Sequence, residues 1–185
     1  MQLSRRGDYG LRLVLELALA LPGEFVPAAT IAEKQDIPLA FLGKIINQLV
    51  VAGLVRTQRG ARGGVTLTRS PADISLLDVV EALEGPVVLN TCLRAPGACQ
   101  RDIFCPIYTA WGQAQAALVQ SLCSTTFDTL AEQARQLTAA QEKRANRGRG
   151  HAARAGGQPT PQAPLRRDRN RQPEDVPPAH KAVSC

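Results

Sequence analysis

The stretch from Pro27 to Thr68 constrains the fold more than any other. A short helix begins near Pro27 and carries Ile31 and Ala32, and a turn follows at Asp36-Ile37. Pro38 suits the first position of a new helix. Leu42, Ile45, Ile46 and Leu49 then recur at the i, i+3, i+4, i+7 spacing of a helix packed along one face. Gly53 terminates that helix. Two short strands, about Leu54–Gln58 and Val65–Thr68, flank the basic, glycine-rich stretch Arg59-Gly-Ala-Arg-Gly-Gly64, the pattern of a hairpin.

An amphipathic helix precedes this stretch, roughly from Ser4 to Leu21, with Leu13, Leu17 and Leu21 at helical spacing. Arg5 and Arg6 before an apolar run could suggest an export signal. Asp8, Arg12 and Glu16 interrupt the run, so an amphipathic helix is the expected reading. No segment has the ~20 apolar residues of a membrane span, and a cytoplasmic chain that binds no membrane is expected.

Three helices followed by a hairpin is the order of a winged helix-turn-helix. The fold class expected is mainly α, a winged helix-turn-helix with a long C-terminal dimerisation helix. Its third helix would lie in the major groove of double-stranded DNA. Leu39, Ala40, Phe41, Gly43 and Lys44 are the residues left for that face, with Asn47 and Gln48 deeper along it. Phe41 and Ala40 could touch a thymine methyl, and Lys44 could meet guanine or a phosphate. Arg59 and Arg62 would sit on a wing thin enough to enter the minor groove. Net charge adds little here. Residues 1–142 carry 12 Lys/Arg against 13 Asp/Glu, and residues 143–185 carry 10 against 3. The basic excess thus belongs to the tail.

Beyond the hairpin, Ser75 and Asp78 have the spacing of a capping box for a helix through Leu83, stopped at Gly85-Pro86. A loop to Cys105 follows. A long helix is expected from Pro106 to Leu122, with Ile107, Trp111, Ala114, Leu118 and Leu122 on one stripe, and a last helix from Thr126 that fades near Lys143. The organisation expected is a DNA-binding domain over 1–84, a cysteine loop over 85–105, dimerisation helices over 106–143 and a disordered basic tail over 144–185.

Cys92, Cys99 and Cys105 fall within one short loop. Thiolates are soft ligands that suit iron–sulfur clusters or zinc. Structural zinc favours four ligands at tight spacings, which is not the pattern here. A cluster is the preferred reading, with zinc and a metal-free redox thiol as alternatives. Cys123 is expected to be a core thiol. A fourth ligand could be Asp8, Tyr108, an outside thiol or water, since both histidines lie in the tail. No nucleophile–base pair or phosphate-cradling motif points to an enzyme.

Several strings together resemble the Rrf2 family of winged-helix regulators: Met1-Gln-Leu-Ser4, Asp8-Tyr-Gly-Leu-Arg12, Lys44-Ile-Ile-Asn-Gln-Leu49, Gly53-Leu-Val55, Arg59 to Gly64, and the three-cysteine loop. The resemblance spans about residues 1–140. It implies a homodimer on a pseudo-palindromic operator, with the long helix after the cysteines packed on its partner. It also implies an iron–sulfur cluster, 2Fe–2S or 4Fe–4S, held by Cys92, Cys99 and Cys105. In nitric-oxide-sensing members an aspartate at the position of Asp8 completes the ligands from the partner's first helix, and the strings around Asp8 and Lys44 lean to that branch. IscR-like members use a histidine where this chain has Tyr108. The function implied is a cluster-sensing transcriptional regulator, expected to repress; the alternative is a thiol-based or zinc-containing regulator of the same fold.

Overall fold

The computed structural model describes residues 3–154, apart from 61, 96, 98, 102 and 103, with side chains described only as far as 144. The described residues up to Arg144 form one compact unit. In chain order the elements are α1 (Arg5–Leu19), α2 (Ala28–Gln35), α3 (Leu39–Val51), β1 (Val55–Gln58), β2 (Gly64–Leu67), α4 (Leu76–Glu84), α5 (Pro106–Ser124) and α6 (Phe127–Arg154).

Each boundary has a local cause. Ser4 caps α1 by accepting from the backbone N–H groups of Arg6 and Gly7, and the helix ends at Leu19, two residues before the end expected at Leu21, with the chain extended at Ala20. Asp36 closes α2 in the left-handed region, at φ 52°, a conformation that aspartate tolerates better than most residues. Its N–H and that of Ile37 return to the last carbonyls of α2. Pro38 stands just outside α3, one place earlier than expected, and its carbonyl accepts from Phe41 and Leu42. Ser75 and Asp78 form the expected capping box, with both reciprocal bonds present.

Leu42, Ile45, Ile46 and Leu49 are buried, as their spacing predicted, against Leu13, Val14 and Leu17 of α1 and Ile31 of α2. The wing is a two-stranded antiparallel sheet in which Val55 pairs with Leu67 and Gln58 with Gly64. Val65 also bridges to Val26, which joins the wing to the chain before α2.

The core does not stop at residue 84. Phe127 is 1% exposed and Ala131 is equally buried, both within the same cluster as α1–α4. The α5–α6 junction fastens to the start of α4: Leu76 N–H donates to Thr125 O and Phe127 N–H to Ile74 O, each at 2.9 Å. The segment 85–124 therefore leaves from one end of α4 and returns at the other.

Two expectations are corrected. The last helix does not fade at Lys143 but continues to Arg154, so 144–154 is helical rather than disordered. Arginine and alanine make up seven of the eleven residues of this stretch, and it lacks proline, which favours the extension. The rest of the expected tail, 155–185, lies outside the described residues. Cys123 is exposed, not buried in the core. No residue of α5 is fully buried: Ile107 is 63% exposed and Trp111 41%. Leu118 and Leu122 are half-buried and line an apolar cavity of about 230 Å³ with Leu3, Leu11, Leu76 and Val80.

Candidate nucleic-acid interface and cysteine loop

The helix-turn-helix turns one face of α3 outward. Leu39, Ala40, Phe41, Gly43 and Lys44 are all exposed, because the four buried positions of that helix face α1 and α2. Leu39 is 54% exposed, and an added Cβ at Gly43 would meet nothing within 4 Å. Phe41 is less free than its position suggests. Its ring meets that of Tyr9 edge-on at 5.7 Å, which fixes it between α1 and the open surface. Tyr9 in turn carries Arg12 5.9 Å from its ring centroid. The outer surface of α3 is thus braced by aromatic and cationic groups of α1.

Arg59 and Arg62 are exposed at the tip of the hairpin. The turn between them is tight: Gly63 N–H returns to Gly60 O at 2.9 Å. A Cβ at Gly63 would lie 2.2 Å from the carbonyl oxygen of Gln58, so only glycine fits. The glycines that marked a loop in the sequence keep this tip narrow.

The first turn of α1 adjoins the same surface. Arg5, Arg6, Phe41, Lys44, Asn47 and Gln48 line an open groove of about 720 Å³ between that turn and α3. Sequence reasoning passed over Arg5 and Arg6. The arginine pair after the cap was their only signal, and it read as the flank of an apolar run.

The cysteines lie on the excursion between α4 and α5. Cys92 sits in a 3-10 turn, Thr91–Leu93, and Cys105 immediately precedes Pro106 at the head of α5. Gln115 of α5 holds the near side of the loop by accepting from Leu89 N–H at 3.0 Å. Cys92, Cys99 and Cys105 are half-buried, and none is in a disulfide. The single chain does not gather them with Asp8 into one ligand set. Among the described residues no three His, Cys, Asp or Glu side chains are close enough together to hold a metal ion. Asp8 instead pairs with Arg12 at 2.8 Å along α1. The donors fit a thiolate-ligated cluster in kind, as soft, unpaired sulfurs on an irregular loop within reach of solvent. They are not preassembled.

Comparison with known proteins agrees with this architecture. Residues 3–133 match the family profile described as "Rrf2: Iron-dependent Transcriptional regulator". The chain is 34% identical over 130 residues to Protein rrf2 of Nitratidesulfovibrio vulgaris, covering 70% of this chain and 87% of that protein. It is 32% identical over 130 residues to the HTH-type transcriptional regulator IscR of Vibrio vulnificus, covering 70% of this chain and 77% of that one. Among solved structures it resembles CymR, the global cysteine regulator of B. subtilis, at TM-score 0.59 and 30% identity over 71% of this chain and 97% of that one. No helix among the described residues is long and apolar enough to cross a membrane.

Proposed function

The chain belongs to the Rrf2 family of winged-helix, DNA-binding transcriptional regulators, which are not enzymes, and from that premise we propose that it senses its signal through an iron–sulfur cluster held by Cys92, Cys99 and Cys105. The observation that carries this reading is the loop itself: three free, half-buried cysteines on a segment anchored at both ends of α4, one of the helices of the DNA-binding core. When bound, the cluster supplies a centre that nitric oxide, oxygen or iron loss can alter. The chain's contribution is to hold the ligands and to transmit their displacement to α3 and the wing.

Asp8 is the proposed fourth ligand, drawn from the first helix of a partner chain. The homodimer this requires is supported by α5, which leaves Ile107 and Trp111 largely or partly uncovered in the single chain. The working assembly is then a cytoplasmic dimer that places two α3 helices and two wings on an operator, where it represses. On each half-site Leu39, Ala40, Phe41, Gly43 and Lys44 read the major groove, and Arg59 and Arg62 enter the minor groove.

The Asp8–Arg12 pair is exposed on both sides and spans one helical turn, so it adds only about 0.3–0.5 kcal/mol to stability. Asp8→Ala should therefore leave the fold intact while changing the visible spectrum of the anaerobically purified protein or its rate of reaction with nitric oxide. An unchanged spectrum and rate would remove Asp8 from the ligand set. For the interface, Arg59→Ala should weaken operator binding by about 1–3 kcal/mol, read by fluorescence anisotropy. A loss of the same size on duplexes of every sequence would instead make Arg59 a backbone contact.

One observation favours a second reading. The chain also resembles CymR, a cysteine regulator, at 30% identity over 71% of its length, so a metal-free switch built on the same thiols is the alternative. The two separate on iron and sulfide content.

A further inference from the structure

Glu84 is the last residue of α4, and Gly85, at φ 85°, opens the cysteine loop directly after it. Its carboxylate does not point into solvent. Ser4, the cap of α1, donates its hydroxyl to Glu84 Oε1, and Arg6 Nε lies 3.8 Å from the same oxygen. Arg6 Nε is buried and has no hydrogen-bond partner among the described residues, so the carboxylate neutralises its charge without satisfying its N–H. Gly7 makes the approach possible: a Cβ there would stand 3.0 Å from Glu84 Oε1. The positive end of α1 favours a carboxylate in this place. An internal anion thus sits beside the groove between α1 and α3, against one of the three cations that line it.

Resting on the DNA-binding reading above, we propose that the DNA-facing surface extends from α3 onto the first turn of α1. There Arg5 and Arg6 meet the phosphate backbone of duplex DNA, and Glu84 governs whether Arg6 is free to do so. The groove is continuous with the exposed face of α3 through Phe41 and Lys44, and its three cations, Arg5, Arg6 and Lys44, complement a phosphate strand. Glu84 opposes that strand by occupying Arg6. Because Glu84 is joined to the cysteine loop through Gly85 alone, a shift of the loop that draws the end of α4 away withdraws the carboxylate. Arg6 is then released to a phosphate oxygen. The loop and the DNA surface are coupled through one side chain.

The test is a double-mutant cycle in the full-length chain, read as anisotropy of a random-sequence duplex across a salt series, since phosphate contacts are indifferent to sequence. Glu84→Gln keeps an acceptor for Ser4 but loses the charge. It should tighten binding about three- to tenfold and steepen the salt dependence by about one counterion. The gain should vanish when Arg6→Gln is also present. Glu132→Gln, the same charge change on the exposed face of α6, should leave binding as it was. Arg5→Gln should weaken binding several-fold, and it leaves Glu84 untouched should the first variant prove unstable. The inference is overturned if Glu84→Gln binds like the wild type, if its gain persists without Arg6, or if Arg5→Gln has no effect. A wild type that binds no duplex even at low salt would strike at DNA binding itself, whereas wild-type binding with an unchanged cycle rejects this inference alone.

Discussion

Replacing any one of Cys92, Cys99 and Cys105 by serine is expected to strip the anaerobically purified protein of iron, sulfide and visible absorbance. A hydroxyl is a harder, more weakly bound ligand than a thiolate, and three ligands from one loop leave no redundancy. The fold should survive each replacement, because all three residues lie outside the buried core. Circular dichroism and thermal unfolding in metal-free buffer should therefore be close to wild type, while the DNA response to nitric oxide or iron depletion disappears. A thiol switch would behave differently, since at least one of the three replacements should then retain the response. A colourless wild type with one zinc per chain would replace the cluster by a metal without redox chemistry. The same three variants thus decide between the readings.

The largest expected effect on stability is at Phe127. Its side chain is 1% exposed and fills the space between the α5–α6 junction and the core of α1–α4. Phe127→Ala should cost about 3–5 kcal/mol, from the lost transfer free energy and the cavity left behind. That is a large fraction of the roughly 5–15 kcal/mol that stabilises a domain of this kind. Urea unfolding monitored by far-ultraviolet circular dichroism measures it. A cost below about 1 kcal/mol would mean that the junction only lies against the core, without completing it.

What could be read in advance follows from range in sequence. The burial of Leu42, Ile45, Ile46 and Leu49, the capping box at Ser75 and Asp78 and the narrow tip at Gly63 are all set within a few residues. Periodicity and turn chemistry therefore revealed them. Phe127 belongs to the core of residues that precede it by at least 40 positions, and no local pattern announces that return. Glu84 meets Ser4 and Arg6 for the same reason, across the span of the whole DNA-binding unit. Cys123 was misjudged in the opposite direction, and the α5 stripe, expected to pack on a partner, is left open in the single chain. An apolar period shows that a face is suited to burial, but not that the same chain supplies the cover. The cysteines were legible as ligands and not as a ligand set, because convergence of donors depends on the assembled geometry.

The way the 85–124 excursion is anchored has a consequence for how such a chain can vary. Both of its feet are planted on α4, at Gly85 and at the Thr125–Leu76 hydrogen bond. Lengthening the path between two fixed points costs little, only about 0.6 kcal/mol for each doubling of a flexible loop. Residues can therefore be added or removed between the cysteines with almost no penalty to the winged helix beneath. If this segment is the sensor proposed above, it is free to change its ligand spacing, and with it the chemistry it answers to, while the winged helix stays the same.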